Sequence, residues 1–147
     1  VVSSLAMLKF NVERGYTLTL ETSDVIATIG NLEILKWAHH NGCPLNSGTI
    51  MFAAHYGLLE IIIYLQANGC PWDSWTFAEA AGGGHLEILK YLRANGCPWN
   101  SWTCVEAAMN GHLETLKWAV HQHFQNNPQC PYAIPTKTMC DFQRVDF

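Results

Sequence analysis

The chain has 147 residues, 49% of them hydrophobic and only 14% charged, with 12 acidic against 8 basic side chains for a net charge of -4. This is enough apolar chain for one domain with a real core, and its acidic balance argues against a phosphate-binding surface, so no nucleic-acid partner is expected. No apolar run reaches the ~20 residues of a membrane span, no signal-peptide pattern is evident, and six cysteines in so core-rich a chain suggest a reducing, intracellular setting rather than a disulfide framework.

Taken from the first residue, the chain repeats itself. "LAMLKFNVERGY" at 5–16 aligns with "LEILKWAHHNGC" at 32–43, so 1–21 reads as half a repeat carrying one helix. Whole units follow at 22–48, 49–75, 76–102 and 103–135, with a terminal half repeat at 136–147. Gly30, Gly57, Gly84 and Gly111 keep a spacing of 27, as do Cys43, Cys70 and Cys97, each followed by proline, and Thr22, Thr49, Thr76 and Thr103. Cys130-Pro131-Tyr132 and Thr136 preserve the Cys-to-Thr spacing of six. Six extra residues before Cys130, in "HQHFQNNPQ", are expected to lengthen the last second helix, with Pro128 ending it.

The unit 76–102 predicts helix, helix, turn. Thr76 with Glu79, repeated by Thr103 with Glu106, has the pattern of a capping box. An alanine-rich helix then runs to Gly84. In the second helix Leu86, Leu89 and Leu92 share one face, Glu87 and Lys90 form an i, i+3 pair on another, and Gly96 supplies the left-handed stop. So short a helix pair cannot hide its apolar stripe alone, and the small pairs Ala53-Ala54, Ala80-Ala81 and Ala107-Ala108 let neighbouring layers approach closely, which predicts a one-dimensional stack.

With "TCVEAAMNGHLETLKW" and "ANGCPWN" in these places, the chain resembles the ankyrin-repeat family from about 5 to about 136, in the Cys-Pro-Trp variety found in large DNA viruses and microbial eukaryotes. The resemblance implies an all-α, ankyrin-like helical solenoid of stacked helix-turn-helix repeats with shortened hairpin loops. The units are 27 residues long against the family's ~33, and the shortfall lies where the family's finger projects. The proline and histidine of the family's TPLH motif are replaced, Thr49, Thr76 and Thr103 being followed by Ile50, Phe77 and Cys104.

Several residues stand out against this scaffold. Cys43, Cys70 and Cys97 occupy a small buried position in the resembled repeat and are read as compact hydrophobes, stacked helices being too far apart for disulfides along the ladder. Trp72 and Trp99, with Leu18 and Leu45, form an expected apolar ladder. Trp75 and Trp102 replace Glu21 and Gly48 of other units and are placed at the tip of the short turn, where they either anchor a partner or cover the neighbouring turn. The pairs Thr28-Ile29, His55-Tyr56, Gly82-Gly83 and Met109-Asn110 change from unit to unit, and the resemblance implies that they face a concave, partner-binding surface. His85 and His112 are structural by the same resemblance.

The clusters His39, His40, Cys43 and His121, His123, Cys130 fit no closed zinc pattern, and no nucleophile elbow, P-loop, dinucleotide fingerprint or HExxH motif occurs, so neither metal, cofactor nor enzymatic activity is expected. The expected function is a protein-protein interaction module binding a protein partner through its concave face and short turns. The alternative is a structural fragment of a larger repeat array or assembly, such as a virion-associated protein, and a thiol-based redox or metal sensor is a third reading.

Overall fold

A computed structural model describes residues 4–126; the Cys130-Pro131-Tyr132 turn, Thr136 and the half repeat 136–147 lie outside them. Among the described residues the protein is all-helical, with nine α-helices and no strand: α1 (Ser4–Glu13), α2 (Leu20–Ile29), α3 (Leu32–His40), α4 (Ser47–His55), α5 (Leu59–Ala67), α6 (Ser74–Gly82), α7 (Leu86–Ala94), α8 (Trp102–Met109) and α9 (Leu113–Asn126). Helix α9 is 14 residues long where α3, α5 and α7 have nine, as the extra residues before Cys130 predict.

The recurring glycines and alanines close α4, α6 and α8 in the same way. In the joint from α6 to α7, the Gly84 and His85 amides donate to the carbonyls of Ala81 and Ala80 at 3.1 and 3.0 Å, and Gly111 and His112 repeat this on Ala108 and Ala107. This double bond needs a left-handed residue, which Gly84 provides at φ 74°. Helices α3, α5 and α7 end alike, with the Cys43, Cys70 and Cys97 amides reaching back to Ala38, Leu65 and Leu92. Just before that turn, Asn68 and Asn95 each donate a side-chain N–H to the carbonyl four residues earlier, at 2.8 Å.

The helix starts correct the capping pattern. Thr76 does not cap α6 and Glu79 does not complete a box with it: the cap is Asp73, whose carboxylate accepts from the Thr76 amide at 3.2 Å while the Thr76 hydroxyl accepts from the Asp73 amide at 3.4 Å. Asn46 with Thr49 and Thr19 with Thr22 do the same. The helices therefore begin about three residues earlier, and repeat boundaries drawn at Thr22, Thr49 and Thr76 cut through them. Helix α8 departs again. Asn100 accepts from the Trp102 amide but turns its side-chain N–H to Ser74 Oγ at 3.0 Å, and Thr103 is left with a buried hydroxyl that has no partner among the described residues.

Helix pairs α2–α3, α4–α5, α6–α7 and α8–α9 pack one on the next, chiefly through α2, α4, α6 and α8. The first helices bury Ile50, Ala53, Ala54, Phe77, Ala80, Ala81 and Ala107, whereas Ala108, with no later even-numbered helix beside it among the described residues, is exposed. In α7 the buried stripe is Ile88, Leu89 and Leu92, Leu86 being only half-buried. The Leu18, Leu45, Trp72 and Trp99 ladder packs partly buried against this core.

One contact between layers escapes sequence reasoning. The His85 ring donates Nε2–H to the His55 carbonyl of the preceding layer at 2.8 Å, and a Cβ at Gly83 would lie 2.2 Å from that carbonyl oxygen. Gly83 has an ordinary helical φ of -79°. Propensity alone therefore favours alanine there by up to ~1 kcal/mol. The clash outweighs it: Gly83→Ala is expected to destabilise the protein by about 1–3 kcal/mol, and an unchanged or raised melting temperature would refute the close approach.

Candidate interaction face

With the helix starts placed, Tyr56, Trp75, Trp102 and Met109 are exposed on or at the ends of α4, α6 and α8. Trp75 and Trp102 are not at a turn tip. They stand in the first turns of α6 and α8, because those helices begin at Ser74 and Trp102. Their rings are 45% and 48% exposed and lie 6.0 Å apart at 33°. The two rings lie against each other and together present an open aromatic surface.

About 10 Å further along the helices lie the residues before the joints. His55 Nδ1 is 3.0 Å from Glu79 Oε2, and its ring meets Tyr56 edge-on at 5.1 Å. Tyr56, 53% exposed, joins Gly48, Met51, Phe52, His55 and Glu79 around a cleft of about 280 Å³. Met109 is 75% exposed and uncovered, while Asn110 folds its side-chain N–H back onto the Glu106 carbonyl at 2.9 Å. Between these two clusters Gly82 contributes no side chain, and Gly83 is kept small by the His55 carbonyl rather than by any partner.

Thr28 and Ile29 stand apart from the other candidates. The Thr28 hydroxyl is satisfied by the Val25 carbonyl at 2.7 Å. Ile29 helps Leu8, Val25, Ile26 and Ile34 to line a separate cleft of about 380 Å³ between α1 and α2. The structure thus groups Trp75 with Trp102, and His55 with Tyr56, and leaves the first-layer pair at the end of the stack.

Phe52, Glu79 and Glu106 belong to the face, to which sequence did not assign them. Glu79 and Glu106 follow Trp75 and Trp102 at i, i+4, a spacing that marks one helix side. That signal is legible only after the helix start is moved to Ser74. Read as capping-box partners, the two glutamates were assigned to the wrong bond.

The cysteines occupy three equivalent environments. Cys43, Cys70 and Cys97 are buried, and each thiol donates to the carbonyl of the preceding layer's capping residue: Thr19 at 3.5 Å, Asn46 at 2.9 Å and Asp73 at 3.4 Å. Burial, with smaller contributions from nearby carboxylates, pushes Cys70 up to about 11 and Cys97 up to about 12. Burial raises Cys43 and Cys104 as well. Thiols held protonated in this way are poor nucleophiles and poor ligands.

The histidines beside Cys43 are engaged elsewhere, His39 Nδ1 with the Tyr64 hydroxyl at 2.8 Å and His40 Nδ1 with the Lys36 carbonyl at 2.6 Å. Among the described residues no three His, Cys, Asp or Glu side chains gather as a metal site. His121 lies 2.7 Å from Gln125, and Cys130 is outside the described residues. No described helix is long and apolar enough to cross a membrane.

No family model and no curated protein matches the chain.

Proposed function

We propose that the chain is a short ankyrin-like solenoid that serves as a protein-protein interaction module, binding a protein partner through the face of α2, α4, α6 and α8 without a cofactor or catalytic chemistry. One observation carries the reading: the recurring Thr49, Thr76, Thr103, Cys43, Cys70 and Cys97 are buried between layers, whereas Tyr56, Trp75, Trp102 and Met109, at positions that change from unit to unit, are open. The tighter approach of the even-numbered helices supports a stack that bends toward them, making this face concave. Side chains held at fixed offsets on such a scaffold lose little freedom when a partner docks.

The alternative, a fragment of a larger array or assembly, is favoured by the apolar cleft of Leu8, Val25, Ile26, Ile29 and Ile34 at the end of the stack. Partner capture from the native source, with the variant Tyr56→Asp/Met109→Asp against Ile63→Asp on α5 and Ile29→Asp in the end cleft, separates the two. All four side chains are exposed, so the variants should fold. The interaction reading expects at least a tenfold loss with the first variant alone, on the order of 1.4 kcal/mol or more. Loss only with Ile29→Asp would favour the assembly reading, and equal capture by every variant would reject the face.

A further inference from the structure

Among the described residues the Lys and Arg side chains are segregated. They are Lys9, Arg14, Lys36, Lys90, Arg93 and Lys117, and none lies on α2, α4, α6 or α8. Each is already engaged on its own side of the molecule. Lys36, Lys90 and Lys117 pair with Glu33, Glu87 and Glu114 at 3.4, 2.7 and 3.0 Å, and Lys9, Arg14 and Arg93 stand over the rings of Trp37, Phe10 and Trp99 at 5.9, 5.2 and 5.4 Å. The even-helix face instead carries Glu21, Asp24, Glu79 and Glu106.

On that face an open tryptophan pair lies one helical turn from two carboxylates, and among the described residues no Lys or Arg answers either, although His55 stands 3.0 Å from Glu79. Glu79 and Glu106 sit one turn along from Trp75 and Trp102, on adjacent layers, which stacked helices hold ~8–10 Å apart. Glu79 is accessible, its side chain 37% exposed beside His55, and Glu106 is half-buried beside Asn110. Gly82 lets Glu106 lie close across the layer: the nearest atoms a Cβ there would meet are Glu106 Oε2, Asn110 Nδ2 and Glu106 Cβ, at 3.4–3.6 Å. An indole face attracts a cation electrostatically, and a planar guanidinium can stack on it while turning its N–H groups edgewise to a carboxylate, which an ammonium cannot do. The chain itself already uses this chemistry once, where Arg93 lies over Trp99.

We propose that the partner docks through an arginine-bearing peptide segment, with a guanidinium laid over Trp75 and Trp102 and its N–H groups directed to Glu79 and Glu106. This rests on the interaction reading above and specifies the chemistry of its partner.

The test is selection of a random dodecapeptide display library on the full chain, followed by titration of the chain with synthetic copies of the selected peptides. Arginine should be enriched at one position. Replacing it by citrulline, which keeps the shape and removes the charge, should weaken binding at least tenfold, as should Glu79→Gln/Glu106→Gln and Trp75→Ala/Trp102→Ala in the protein. Absence of arginine enrichment, or peptides indifferent to citrulline or to the loss of both carboxylates, overturns the proposal. If such peptides still lose binding with Tyr56→Asp/Met109→Asp, the interaction face stands and only its cationic partner falls. Peptides that ignore every substitution on the even-numbered helices count against both.

Discussion

Phe77→Ala is expected to lower stability by about 3–5 kcal/mol, the largest effect of any single substitution considered for this chain. Phe77 is fully buried in α6, meets Trp99 edge-on at 5.7 Å and lies nearly parallel to Trp118 at 6.4 Å. It thereby ties α6 to the link after α7 and to α9. The equivalent places in neighbouring layers hold Ser23, Ile50 and Cys104, so no other layer has an aromatic ring there. Truncation removes the transfer free energy of the ring, leaves a cavity that two stiff indoles fill poorly, and forfeits two ring contacts of roughly 0.5–1.5 kcal/mol each. Phe77→Leu, which keeps most of the volume, should cost about 1.5 kcal/mol or less. Because a stack of layers can open locally, amides of α8 and α9 should lose exchange protection before those of α4 and α5. Urea unfolding gives the total, and a loss under about 1 kcal/mol would mean that Phe77 is not the joint described.

Alkaline pH should unfold this protein through its thiols. The unfolded chain loses thiol protons near 9.0, whereas the folded chain keeps them at Cys70 to about 11 and at Cys97 to about 12. Folded values above the unfolded one mean that the stabilisation is complete below pH 9. As pH rises further, the unfolded state gives up protons that the folded state still holds, so stability falls until the folded values are reached. Each thiol contributes about 1.4 kcal/mol per pH unit in that window, a loss on the order of a few kcal/mol by pH 11. Cys70→Ser/Cys97→Ser is the control: a hydroxyl can still donate to the Asn46 and Asp73 carbonyls but does not ionise there. Urea midpoints at pH 8 and pH 10.5 should diverge more for the natural protein than for the variant, tyrosine ionisation being common to both. Equal declines would show that these thiols are not shielded from solvent.

The same cysteines explain why one local reading of the sequence went astray. "DSWT" before "FAEA" contains two overlapping cap patterns, Asp73 with Thr76 and Thr76 with Glu79, and propensity does not choose between them. In the folded chain the Asp73 carbonyl accepts the Cys97 thiol and Glu79 lies against His55 in the layer behind. Contacts between layers thus complement the earlier start, and moving the helix start moves Trp75 out of the turn and brings Glu79 into line with it.

What the sequence by itself determined is whatever acts along one unit or recurs between units: the period, the all-helical class, and the glycine turns whose left-handed φ a local backbone bond demands. Tertiary structure alone decided the register of the first helices, the need for Gly83 to lack a side chain, the pairing of Trp75 with Trp102, and the gathering of carboxylates on a face without Lys or Arg among the described residues. The physical reason is range. Caps, turns and periodic stripes act over a few residues along the chain, whereas these other features arise between atoms about 24 to 30 residues apart, which meet only when one layer is laid on the next.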